Sequence, residues 1–169
     1  LSEALKGRRQ VEMPKSWPKT FRKMASTAPV DIRSDLMSLA VKFGDPMALA
    51  VMRELVADGD AELATRRTAL ASLVSAKDPE LPELLHALLE DEALRGGALR
   101  ALAGYNHQDS PAKIIAVYPQ LTQSEKRDAL NTLAARTTTA LALLAAVGED
   151  KIPSRDLTAD LIRQLRNLK

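Results

Sequence analysis

Two short motifs alternate along the chain at nearly constant spacing, and this regularity restricts the fold more than any other feature. The first is a capping dipeptide, Asp45-Pro46, Asp78-Pro79 and Ser110-Pro111, recurring after 33 and 32 residues. An Asp or Ser oxygen can accept the orphan N–H groups of a first helical turn, and the proline after it has a φ suited to a helix and no N–H to lose. The second is a box with a basic residue one turn ahead of Ala-Leu-x-x-Leu. It reads Arg66-x-x-Ala69-Leu70-x-x-Leu73, then Arg95-x-x-Ala98-Leu99-x-x-Leu102, then Lys126-x-x-Ala129-Leu130-x-x-Leu133. A degenerate copy, Arg33-x-x-Leu36-Met37-x-x-Ala40, precedes them, and the four basic residues are spaced by 33, 29 and 31. Positions i, i+1 and i+4 share one helix face, so alanine there lets two helices approach while the leucines fill the gap.

Because the motifs alternate, each unit reads as a helix opened by the dipeptide and a second helix carrying the box. The pattern predicts ten helices near 17–26, 30–43, 46–57, 61–75, 80–89, 92–103, 110–118, 123–134, 138–147 and 155–168. Leu81, Leu84, Leu85, Leu88 and Leu89 form a clean apolar stripe. Leu157, Leu161, Leu165 and Leu168 form another, with Asp160, Arg163, Gln164, Arg166 and Asn167 on the outward face as a terminal cap requires. The connections are short, so successive helices should be antiparallel neighbours. One helix pair buries too little apolar surface to offset the entropy of ordering it, and stacking is the remedy. The expectation is an all-α chain, an α-solenoid of about five antiparallel helix pairs. Residues 1–15 would be a basic lead-in and residues 16–168 the repeats of a single domain spanning 1–169.

Composition agrees. Only five residues are aromatic, nothing alternates as a strand would, and the apolar content is mainly Leu, Ala, Val and Met. With no cysteine the chain has no disulfide, thiol nucleophile, Cys-ligated zinc or covalent haem attachment. The longest apolar run, Ala140 to Val147, is far below the roughly 20 residues that span a bilayer. The start at Leu1, without Met, suggests either a processed product or, as the favoured reading, a piece of a longer protein. The net charge of +2 is uneven: residues 1–42 carry nine Lys/Arg against four Asp/Glu, and residues 45–92 carry four against eleven. A basic entry before an acidic middle suits contact with a neighbouring domain, although solvated helix faces account for it as well.

The boxes resemble those of the HEAT and armadillo-like repeats, in which a turn Asp precedes an Arg opening the second helix; Asp91-Glu92-Ala93-Leu94-Arg95 matches well. A closer resemblance rests on Trp17, Val41-Lys42-Phe43-Gly44-Asp45, the run from Leu94 to Ala103, Tyr118-Pro119-Gln120-Leu121 and Ile152-Pro153. These are similar to a helical region of planctomycete-type membrane-bound dehydrogenase-like proteins. There, a β-propeller related to quinone-dependent sugar dehydrogenases comes first and a c-type cytochrome domain with Cys-x-x-Cys-His comes last. The resemblance implies an exported spacer between a catalytic head and an electron-transfer tail, with haem c in a neighbouring domain and no cofactor in this segment. Its partners would be protein domains, in cis or in trans.

The candidate interaction surface is the basic ladder Arg33, Arg66, Arg95 and Lys126, together with Arg100 and Trp17. A row of cations on successive second helices could hold an acidic partner or phosphates. Alternatively each pairs with turn aspartates such as Asp31, Asp60 or Asp91 and satisfies loop carbonyls, which is the favoured reading. Trp17 is either an anchor for a neighbour or a plug at the end of the first pair, the plug being favoured. His86 and His107 lack the paired spacing of a metal site and read as structural. The carboxylates Glu90, Asp91 and Glu92 sit where helix-start effects place them anyway. No nucleophile and base are implied together, so a non-catalytic scaffold is expected. The alternative is a nucleic-acid surface on the basic N-terminal half, which the acidic middle and the scarcity of aromatics oppose.

Overall fold

A computed structural model describes residues 13–27 and 29–168, and among these the chain is entirely helical. Residues 1–12 of the basic lead-in lie outside the described residues, as does the Asp31 side chain. Ten α-helices follow in order: α1 (Trp17–Thr27), α2 (Val30–Lys42), α3 (Pro46–Ala57), α4 (Leu63–Ala76), α5 (Leu81–Ala87), α6 (Arg95–Leu102), α7 (Ser110–Val117), α8 (Gln123–Leu133), α9 (Thr137–Gly148) and α10 (Ala159–Arg166). Each coincides with an expected helix. The differences lie at ends, where 3-10 turns at Leu88–Glu90, Tyr118–Gln120 and Ser154–Asp156 replace the last or first turn.

The helix ends follow from local chemistry. The Asp45 carboxylate accepts the amides of Met47 and Ala48, and Pro46 opens α3 behind it. Thr122 and Glu125 form a reciprocal capping box at α8, and the Thr158 hydroxyl caps α10. Lys77 closes α4 in the left-handed region at φ 52°, and Gly44 takes φ 67° between α2 and α3, where the lack of a Cβ removes the penalty. The other two dipeptides depart from the expected capping role. Asp78 accepts the Glu80 amide in the turn before α5 but spends its carboxylate chiefly on Arg53, at 2.7 and 2.8 Å. Ser110 is itself the first residue of α7, and its hydroxyl turns to the His86 ring.

The chain divides between Leu81 and Pro82 into two compact units. In the first, α1 packs on α2, α2 on both α3 and α4, and α3 on α4. In the second, α6 packs on α8, α7 and α8 on α9, and the 3-10 turn after α5 on α6 and α7. The boxes supply the cores: Ala69, Leu70 and Leu73; Ala98, Leu99 and Leu102; Ala129, Leu130 and Leu133 are all buried. Leu36 and Ala40 do the same for the degenerate copy. Between α6 and α8 the buried Thr132 hydroxyl donates to the Leu99 carbonyl at 2.7 Å.

Candidate functional site

The basic residues of the boxes share a position but not an exposure. Arg66 and Arg95 are only 8% and 6% exposed. Arg66 Nε donates to the Val56 carbonyl at 2.9 Å, in the last turn of α3. Arg95 Nε donates to the Leu89 carbonyl, and a guanidinium N–H reaches the Glu90 carbonyl at 3.5 Å. Each therefore places a cation on the carbonyl-rich end of the preceding helical segment, where charge and orphan acceptors both favour it. Lys126 occupies the same position but meets a ring and a carboxylate in place of a carbonyl. It lies 5.2 Å from the Tyr118 ring centroid, over the 3-10 turn that ends the preceding segment, and 3.9 Å from Asp156. Tyr118 is buried and donates its hydroxyl to Asp156 at 2.9 Å; burial first, and that bond second, push the phenol far above its usual pKa.

Arg33, on α2, and Arg100, on α6, are exposed. Arg100 pairs with Asp128 on α8. Trp17 is buried, stacked on Phe21 at 5.7 Å and edge-on to Phe43 at 4.7 Å, so the ring closes the α1–α2 pair. Of the six candidate surface residues, the structure thus turns Arg66, Arg95 and Trp17 inward, half-buries Lys126, and leaves Arg33 and Arg100 outside.

A groove of the second unit lies between α7 and α9. Ala112, Ile115 and Ala116 face Thr138, Ala142 and Ala145 across it, and it encloses about 970 Å³. Helix α9 has no charged residue from Thr137 to Gly148. It buries Ala140, Leu143 and Ala146 yet leaves Leu141 and Leu144 64% and 50% exposed. An amphipathic helix keeps its apolar residues to one stripe, and one apolar all round belongs in an interior. Among the described residues no helix is long and apolar enough to cross a membrane.

One cluster escaped the sequence reading. His86 in α5 and His107 in the loop before α7 come within 4.9 Å, ring to ring, with Glu83 beside both. Glu83 Oε1 lies 3.2 Å from His107 Nε2, and Glu83 Oε2 lies 3.9 Å from His86 Nδ1. His86 is buried, and its Nε2 is 2.8 Å from the Ser110 hydroxyl. Burial lowers its pKa, His107 and Lys113 lower it further, and Glu83 and Asp109 oppose them. The neutral ring is therefore favoured. The signal in the sequence was Glu83-x-x-His86, two donors one turn apart on one helix face. The partner 21 residues away is joined to it only by the fold.

Comparison with protein-family models, with curated proteins and with solved structures returns no match to this chain.

Proposed function

We propose that the chain is a non-catalytic scaffold, a HEAT-like α-solenoid of stacked helix pairs that docks protein domains. The stacking is supported by contacts between helices two apart in sequence: α2 with α4, α6 with α8 and α7 with α9. The docking role rests on α9, a helix without charged residues whose exposed Leu141 and Leu144, with the mainly apolar groove against α7, offer a surface of the kind that marks interaction sites. By the resemblance noted above, its partners are a dehydrogenase-like β-propeller and a c-type cytochrome domain. The nucleic-acid alternative has less to use, because Arg66 and Arg95 are spent on backbone carbonyls.

The test is binding of the purified chain to each of those two domains by titration calorimetry, alongside a low-salt gel shift with duplex DNA. Binding to at least one domain should weaken at least about tenfold in Leu141→Glu/Leu144→Glu while the melting temperature stays within about 2 °C, since both side chains already face solvent. No binding to either domain, or binding untouched by the double substitution, removes the docking role on α9. Retardation of DNA would favour the alternative.

A further inference from the structure

We propose that Glu83, His86 and His107 form a binding site for a divalent ion of the zinc class, an ion that would clasp α5 to the loop before α7. The three residues present donor atoms that all lie within 4.8 Å of one another. Four-coordinate zinc with bonds of about 2.1 Å needs neighbouring donors about 3.4 Å apart. The Glu83–His107 separation of 3.2 Å already meets this, and His86 Nδ1 to Glu83, at 3.9 Å, is near it. The side chains of Glu83 and His107 are 77% and 28% exposed, so both can turn toward the buried His86 to close the remainder, the spacing between the two imidazoles included, without disturbing the core.

The buried member supplies the second argument. His86 is more than nine-tenths buried, and only its Nε2 has a hydrogen-bond partner, Ser110. A proton on Nδ1 would find Glu83 at 3.9 Å, beyond hydrogen-bond reach, whereas a proton on Nε2 is well placed to donate to the hydroxyl. The ring therefore carries its proton on Nε2 and directs the Nδ1 lone pair at the cluster. A histidine anchored through one nitrogen to an oxygen, with the other left to ligate, is the usual arrangement at metal centres. Ser110 thus acts as a positioning residue, which accounts for its departure from capping α7. His107 needs a smaller adjustment. Ligation through Nε2 moves its proton to Nδ1, giving up the long 3.4 Å contact from the Asp109 amide and exchanging the 3.2 Å contact with Glu83 for a shared ion.

Two imidazoles and one carboxylate suit borderline ions such as Zn2+ and disfavour Mg2+ and Ca2+, which prefer oxygen sets. With three protein ligands the fourth position falls on the solvent side, where water can complete the tetrahedron. The ion would join two segments 21 residues apart, so its expected consequence is stability.

The experiment uses the tag-free chain, stripped with chelator and titrated with ZnCl2 or MgCl2 by calorimetry, with thermal unfolding in parallel. The wild type should bind one Zn2+ and no Mg2+, and saturating Zn2+ at about 100 times Kd should raise the melting temperature by about 5–10 °C. His107→Ala and Glu83→Gln, both altering side chains outside the core, should keep the fold and lose at least about tenfold in affinity. Ser110→Ala keeps all three ligands and should lose affinity by about tenfold through the His86 ring. Co2+ should give a tetrahedral visible band in the wild type that His107→Ala abolishes. No heat and no thermal shift with Zn2+ in the wild type would overturn the assignment. So would undiminished binding in folded His107→Ala, because Glu83 and His86 would then hold the ion without the third ligand the site requires.

Discussion

The two compact units share a packing pattern and differ in what they leave over. In the first, Arg66 holds the Val56 carbonyl, and the buried Asp78 is matched by Arg53 through two short contacts. Buried charge there is consumed in joining helix to helix, which is the condition for tolerating it in a core. The second unit repeats the device with Arg95 on Leu89 and Glu90. It then adds a buried His86 with one nitrogen uncommitted, and a helix, α9, with apolar residues on faces that nothing in the unit covers. Equivalent boxes therefore build the frame of both units, while the candidate chemistry and the candidate docking face both fall in the second.

The largest expected effect tests whether the frame is the same in both. Arg66→Met and Arg95→Met keep the aliphatic stem but delete the donors, leaving buried carbonyls unpaired. Each should cost about 2–3 kcal/mol in urea unfolding. Arg100→Ala removes an exposed pair with Asp128 and should cost within about 0.5 kcal/mol. If Arg66→Met costs no more than Arg100→Ala, the two boxes are not equivalent and the comparison fails at its root.

A smaller effect separates the third box from the other two. Lys126 reaches no backbone carbonyl in the manner of Arg66 and Arg95; it lies over Tyr118, whose hydroxyl bonds Asp156. Tyr118→Phe keeps the ring under the ammonium and deletes that one bond, so a loss of about 1–2 kcal/mol is expected in the same unfolding assay. A loss near zero would mean that Asp156 is held by Lys126 and solvent alone.

How much of this was legible is clearest in the boxes. Periodicity placed Ala98, Leu99 and Leu102 on one face, and they are buried, because a 3.6-residue repeat leaves little choice of face. It located all ten helices but ran past the ends near 89, 118 and 155, where 3-10 turns leave the apolar spacing almost unchanged. It left Arg66 open between a surface contact and a partner of loop carbonyls, with the second favoured, because a basic residue on a helix looks alike whether it meets water or a carbonyl one helix back. His86 was harder still. Its role depends on a loop residue 21 positions on and a hydroxyl 24 positions on, and neither relation has a period. Local patterns encode the frame, and the fold alone brings the donors together.

The smallest effect distinguishes the two units at a helix start. Helix α4 begins after Glu62, whose side chain makes no capping bond, whereas α8 begins with the Thr122–Glu125 box. Thr122→Ala should therefore cost about 1 kcal/mol, and Glu62→Ala less than about 0.5 kcal/mol. The box also carries a pH signature. Burial pushes the Glu125 carboxyl up, but the Thr122 hydroxyl and amide bonds and the charge of Arg95 outweigh it, and the pKa falls below its ordinary value. A carboxylate whose folded pKa lies below its unfolded one, about 4.3, stabilises fully above that value and loses its contribution as pH falls through the folded pKa. Glu125→Gln keeps the capping shape without the charge. It should cost a few tenths of a kcal/mol at pH 7, with the difference from wild type shrinking as the pH is lowered below about 4. A difference that stays constant down to pH 2 would show that it does not come from the Glu125 charge and remove the electrostatic contrast between the two helix starts.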